Sequence, residues 1–429
     1  MAISARVSIL LILATACNFP RPPDLVDAPV ATGDAATGCQ HDEDCSGGTP
    51  VCIDNACAVC RTSVTCPTSS PVCDEASHGC RLCAKDSECD SGACDLAAGT
   101  CVGQGAILYA SPNGGNADPC IRTAPCSFLR AGQLVDVMHQ YIVLLPGIHS
   151  SAPLFDGKAA TVCGGDATVD LDTGRIGLSH GASITIRNLK MSPSSDPAPN
   201  GGVTPQGAGT AILYDNSDLT LDNLELSPGF LDAIQGDGTI TIRNSKFISA
   251  TLVLGGRSTV DRSLFLSGGI AIFGDGSSGE VTNSIFVADS ANRIAIEINS
   301  STDSTSPGLG AITNNTFIGG TTSCGGGALY EKVFEFNIFY NTGSLQAPPG
   351  CTYRYNLVTP LMDIGGTGNF SGDPLFVDAA NNDFHLQQGS PAIDAALSPT
   401  QPNGHDHDGV LRPQGIRSDI GAFEYVPAP

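Results

Sequence analysis

Ile184–Met191 reads ITIRNLKM and Leu219–Leu226 reads LTLDNLEL. The pattern returns as ITIRNSKF at Ile240–Phe247, STVDRSLF at Ser258–Phe265 and GEVTNSIF at Gly279–Phe286. It continues as GAITNNTF at Gly310–Phe317, VFEFNIF at Val333–Phe339 and YRYNLV at Tyr353–Val358. β-Branched and aromatic residues alternate with polar ones, which is the period of a half-buried strand. The final residues of these runs lie 35, 21, 18, 21, 31, 22 and 19 positions apart. The two long gaps contain Pro- and Gly-rich loops, Pro193–Gly209 and Ser300–Gly310, and without them the period is about 20 residues.

Helical solenoid units are longer than this and carry helix signals, so the period excludes them. A sandwich needs paired hairpin turns, and Asn-Gly dipeptides do not separate the runs. One strand-turn-strand coil per repeat predicts an all-β, single-stranded parallel β-helix. Asn188, Asn223, Asn244, Asn283 and Asn314 recur three positions before the end of their runs, where Arg262 stands once. They read as a structural ladder of left-handed turn residues bonded to their copies above and below, not as a ligand row. Phe247, Phe265, Phe286 and Phe317 read as an interior stack.

The 429 residues are 41% hydrophobic, enough for a sizeable core. With 43 acidic and 20 basic residues the net charge is −23, which argues against a nucleic-acid partner. Trp is absent, so the common stacking platform for sugar rings is missing, although Tyr can substitute.

Arg6 and the apolar run Val7–Leu13 precede Ala14-Thr15-Ala16-Cys17. A basic start, a short apolar stretch and small residues before a cut form an export signal over residues 1–16. The segment resembles a bacterial lipoprotein signal, which implies a lipid on Cys17; an ordinary signal-peptidase site predicts the same cut. Residues 17–38 are Pro- and Ala-rich and read as a flexible tether. The expected location is the outer membrane or cell surface, held by the lipid, or else the secreted fraction.

Residues 39–101 carry three sets of four cysteines: Cys39, Cys45, Cys52, Cys57; Cys60, Cys66, Cys73, Cys80; and Cys83, Cys89, Cys94, Cys101. Each opens with Cys-x5-Cys, an internal repeat. Cys57-x2-Cys60 and Cys80-x2-Cys83 have zinc-ribbon spacing, but they fall at the junctions between repeats. An exported chain meets an oxidising compartment, which favours disulfides. The segment resembles extracellular cysteine-rich modules of the Dickkopf N-terminal type, through Cys39-x2-Asp42-x-Asp44-Cys45; the second repeat lacks both acids. Its acids read as a solvated face rather than a calcium contact.

Residues 102–429 form the expected β-helix domain. Tyr109-x-Ser111-Pro112-Asn113-Gly114-Gly115, Ala124-Pro125-Cys126-Ser127-Phe128 and Leu145-Pro146-Gly147-Ile148-His149 resemble the opening of pectate-lyase-like right-handed β-helix proteins. That resemblance implies right-handed coils and an N-terminal capping helix at Phe128–His139. Gly372-Asp373-Pro374-Leu375-Phe376, Gly389-Ser390-Pro391-Ala392-Ile393-Asp394 and Asp419-Ile420-Gly421-Ala422-Phe423-Glu424-Tyr425 resemble the C-terminal segment of choice-of-anchor Q surface proteins. This family implies a fold and a cell-surface location, not one activity. Cys120 with Cys126 and Cys324 with Cys351 are further disulfide candidates, and Cys163 is left over as a small buried residue or as an alternative partner of Cys120 or Cys126.

Similar galacturonases carry Asn-Thr-Asp, Asp-Asp, Gly-His-Gly and Arg-Ile-Lys, none of which occurs here; Ser179-His180-Gly181 is the nearest. Asn403-Gly404-His405-Asp406-His407-Asp408-Gly409 offers Asp406 and Asp408 as calcium ligands, against a cap on the last coil. Two function classes stay open. The first is a non-catalytic, lipid-anchored surface protein that binds polysaccharide or protein, without cofactor. The second is a carbohydrate-active enzyme, a lyase, hydrolase or epimerase, with a diverged site.

Overall fold

The computed structural model describes residues 38–171, 174–193, 209–230, 232–273, 278–290, 294–299, 310–325, 332–345, 351–360, 362, 364–396 and 404–427. Residues 1–37, which carry the expected export signal, Cys17 and most of the expected tether, lie outside them, as do most of both long loops and Asn403. The chain divides into two compact units. One takes the first cysteine repeat with residues 60–65 and Cys73–Cys80 of the second; the other takes Cys66–Val72 and everything from Arg81. The third cysteine repeat therefore belongs with the coils.

In the cysteine repeats, Cys39 bonds Cys52, Cys45 bonds Cys57 and Cys60 bonds Cys73. Cys83 bonds Cys94 and Cys89 bonds Cys101, the same first-to-third, second-to-fourth order as in the first repeat. Cys66 and Cys80 are also disulfide-bonded, so the zinc-ribbon pairs are spoken for. Repeats this small bury too little apolar surface to stand alone, and the bridges stabilise them instead.

From Ile107 the second unit is a parallel β-helix whose coils present three faces, each a ladder of paired parallel strands. On the first face Ser183–Arg187 pairs in parallel with Asp218–Asp222, which pairs with Thr239–Arg243, then Arg257–Asp261 and Ser278–Thr282. Gly310–Thr313, Lys332–Glu335 and Cys351–Arg354 complete that ladder. Alternation puts Ile184, Ile186, Leu219, Leu221, Ile240, Ile242, Val260, Val281 and Ile312 in the core. On the second face Phe247, Phe265, Phe286, Phe317 and Phe339 stack with ring centroids 4.6–4.9 Å apart. Parallel strands about 4.8 Å apart impose that spacing on any residue repeated in register.

The asparagine ladder needs a correction. Asn188, Asn223, Asn244, Asn283 and Asn314 all sit at positive φ, as do Arg262, Phe336 and Tyr355 at the same corner. Among the described residues only Asn223 bonds to a copy, donating to Asn188 Oδ1 at 2.9 Å. Asn244 donates to Asp222, Asn283 to Asp261, and Asn314 to the carbonyl of Asp419. The working ladder is the next residue: Ser245, Ser263, Ser284, Asn315, Asn337, Asn356 and Asn369. Each side-chain oxygen accepts a backbone N–H from the preceding coil at 2.9–3.3 Å. The left-handed residue turns the corner and the following side chain points inward, where an unpaired N–H is costly. The φ requirement and the hydrogen-bond requirement therefore fall on adjacent positions.

The capping helix is shorter than expected, Phe128–Leu134, with the Ser127 hydroxyl accepting from Arg130 N–H. The Asp136 carboxylate takes the N–H groups of Met138 and His139, a turn that competes with the helix. The chain leaves helical geometry at Val135, and Lys158 Nζ caps the end by donating to the carbonyls of Gly132, Gln133 and Val135, the groups a helix end leaves orphaned. Cys120 and Cys126 bond beside it; Cys324 and Cys351 bond across coils.

The C-terminal tail does not cap the last coil. It lies along the second face as a lateral plate. Phe384, Ala422 and Phe423 cluster with Ile285, and Leu386, Ala392 and Ile420 with Ile338 and Leu357. His407 donates to the carbonyl of Asn283, and Ala422 N–H to Thr316 Oγ1. These coils carry outward apolar residues at the positions the plate covers.

Candidate functional sites

The acids of the cysteine repeats serve local architecture more than a solvated face. Asp44 Oδ2 accepts from the N–H groups of Gln40 and His41, and Glu88 Oε2 from those of Ala84 and Lys85. Asp42 Oδ1 accepts from Cys52 N–H, and Asp86 Oδ1 from Cys94 N–H. In the second repeat Ser63 Oγ fills this role for Cys73 N–H, which explains how it dispenses with the acid. The N–H of Cys52, and then Arg61, hold the Asp42 carboxyl below its usual range.

Both Asp42 and Asp86 receive an arginine. Arg61 Nη2 donates to Asp42 Oδ1 and to the carbonyl of Cys52, at 2.8 and 2.7 Å. Arg187 Nη2, from the first face of the β-helix, donates to Asp86 Oδ1 and to the carbonyl of Cys94, at 2.8 and 3.0 Å. The third repeat thus holds the coils by the same arginine socket that the first fills from its own unit. Neither arginine role was visible in the spacing.

A cleft of about 520 Å³ opens between the third repeat and the first coils. Its apolar lining includes Leu96, Val143 and Leu145, its polar lining Lys85, Asp166, Arg187, Asp222 and Asn223. Cys163 is a buried free thiol 3.5 Å from Arg187 Nη2. Burial, then the charge of Asp86, pushes it up to about 12, so it stays a thiol and an inert one.

Farther along the first face the outward residues form rows. Thr185, Thr220, Thr241 and Thr259 stack in register and lead to Glu280. Arg187, Asp222, Arg243 and Asp261 form the adjacent outward row. Asp222 already accepts the Asn244 amide, and Asp261 accepts from Arg262, Thr282 and Asn283. A groove of about 480 Å³ is lined by Arg257, Thr259, Ser278 and Glu280 over Ala311 and Val333. A carboxylate and an arginine therefore share one lateral groove, an arrangement not foreseen from the sequence because it needs the coil register.

Ser179 and His180 converge on Asp156. The Ser179 hydroxyl donates to Asp156 Oδ1 at 2.7 Å, and the His180 ring bonds the same oxygen. The serine gives its proton to the carboxylate and not to the histidine, so no activated nucleophile results.

Asp406 and Asp408 occupy different surroundings. Buried Asp406 accepts three backbone N–H groups, from Asp408, Val410 and Glu424, at 2.8–2.9 Å. That set makes it a brace within the lateral plate; calcium would compete with those bonds. Half-exposed Asp408 bonds His385 Nε2 at 2.8 Å, and Asp383 bonds His385 Nδ1 at 2.6 Å. Burial alone lowers the His385 pKa, but the two carboxylates outweigh it and raise it. A raised folded pKa gives stability that is present at low pH. It is lost as pH climbs above 6.5 through the folded value. His385→Gln should therefore lose stability relative to wild type at pH 5.5, and the gap should narrow by pH 9. Melting curves across that range test it; a constant gap would refute it.

No family model matches the chain, and no curated protein does. Among solved structures, pectate lyase Pel9A is similar: 15% identity, 74% of this chain and 96% of that chain aligned, and a TM-score of 0.36.

Proposed function

We propose that the chain is an exported carbohydrate-binding protein that lays the first lateral face of its β-helix along an extended glycan, anchored at the cell surface by a lipid on Cys17. The carrying observation is the pair of outward rows, hydroxyls beside alternating Arg and Asp, repeated at the strand spacing of about 4.8 Å. Such a face offers donors and acceptors in series to sugar hydroxyls. The disulfides support export, because they form and persist chiefly in an oxidising compartment. A surface protein partner for the same face, and calcium at Asp406 and Asp408, have weaker support. Asp222 and Asp261 are already committed as acceptors, which suits a fixed surface better than an acid–base pair. The runner-up is a carbohydrate-active enzyme, favoured by Arg257 and Glu280 in one groove.

A glycan array with product analysis tests both. We expect retention of one glycan class, weakened about tenfold by Arg257→Ala or Glu280→Ala, the effect of one charge-assisted hydrogen bond. Shortened products would favour the enzyme, and retention of no glycan would sink the binding reading. In detergent partitioning, wild type should enter the detergent phase and Cys17→Ser the aqueous phase; identical partitioning would remove the anchor.

A further inference from the structure

The geometry points to a second saccharide site in the cleft between the third cysteine repeat and the coils, one that takes a chain end rather than a mid-chain segment. The inference rests on the carbohydrate reading and deepens it. Arg187 and Asp222 line the cleft and also begin the outward row that continues to Arg243 and Asp261. The glycan-facing row therefore runs into the cleft. There the third repeat stands across its path, supplying Lys85, Asp86, Ser91 and Leu96 to the opposite wall. A chain lying on the face must stop where that wall begins.

The cleft chemistry selects the ligand class. Arg187 is only 7% exposed, and its Nε is buried without a hydrogen-bond partner. Among the described residues its Nη1 has none either, since Asp86, Cys94 and Cys163 all meet Nη2. The group is held rigidly from one side, which leaves Nη1 as the donor for a ligand. Acids Asp86, Asp90, Asp166 and Asp222 outnumber bases Lys85, Arg122 and Arg187 in the lining, so an anion is disfavoured. Asp86 and Asp90 are spent on Arg187 and Arg122. Asp166 and the Oδ2 of Asp222, whose Oδ1 takes the Asn244 amide, offer acceptors, Lys85 and Arg187 donors, and Leu96 on one wall with Val143 and Leu145 on the other apolar contact. A neutral sugar, with hydroxyls that both donate and accept around an apolar ring face, matches this mixture. The volume lies within the ordinary range of small-molecule sites.

Leu96 is 46% exposed on the wall and takes no part in the Arg187–Asp86 socket, so Leu96→Trp fills the cleft without breaking the dock. The full protein is titrated by calorimetry with cellotriose, xylotriose, mannotriose and maltotriose, and its retention on the four parent polymers is measured alongside. We expect one trisaccharide to bind saturably and Leu96→Trp to weaken it at least tenfold. Retention on the matching polymer should persist in Leu96→Trp and fall in Arg257→Ala. Trisaccharide binding unchanged in Leu96→Trp, or absent while the polymer is retained, overturns the cleft site and leaves the binding face standing. Neither trisaccharide nor polymer binding overturns both. Arg187→Gln is unsuited to this test, because it strands the Asp86 carboxylate.

Discussion

Phe286→Ala is expected to cost about 3–5 kcal/mol, the range for deleting a large buried aromatic. Phe286 is 1% exposed and lies between Phe265 and Phe317, with centroids 4.6 and 4.9 Å away. Removing it opens a cavity in the middle of a five-ring column, whose outer members cannot collapse because strand pairing fixes their spacing. Coils of a solenoid are stabilised chiefly by their neighbours, so the loss spreads to both sides. Guanidinium denaturation followed by circular dichroism measures it. A midpoint unchanged from wild type would mean the column contributes nothing.

Arg412→Ala is expected to cost a similar 3–5 kcal/mol, for a different reason. Arg412 and Glu424 form a 2.9 Å pair with both side chains 1% exposed. The guanidinium also donates to the carbonyls of Asp419 and Gly421, and Glu424 accepts the N–H groups of Gln414 and Asp419. Truncation strands a buried carboxylate with no cation, which costs more than the pair itself contributes. The double change Arg412→Met with Glu424→Leu removes both charges and should recover part of the loss. Because the plate covers the second face, limited proteolysis should cut the tail of Arg412→Ala first. A single variant within about 1 kcal/mol of wild type, or a double variant worse than the single, would contradict this account.

Residues near in sequence carried the reading of the coils. The alternation in ITIRNLKM and its copies determines which side chains face inward, and the period of about 20 determines the coil, because both properties are local to one strand and its turn. The cysteine count and spacing likewise marked residues 39–101 as a set of disulfide-bonded repeats. The ladder was legible to within one position: the sequence marks where φ must be positive, but not which neighbouring side chain then points inward.

What tertiary structure alone decided involves partners far apart in the chain. His407 meets Asn283 across 124 positions, and Arg187 meets Asp86 across 101. Leu264, Ile285 and Leu357 look like outward apolar residues without a purpose until the tail is seen to cover them. Arg187 looks like one more polar residue on a strand until Asp86 takes it as Asp42 takes Arg61. The row of Arg and Asp leading into the cleft, and the groove holding Arg257 and Glu280, exist only once the coils are in register. Spacing along the chain fixes what one coil does with its own residues. Which residues of different coils, repeats and tail end up facing one another depends on packing, and no local pattern records it.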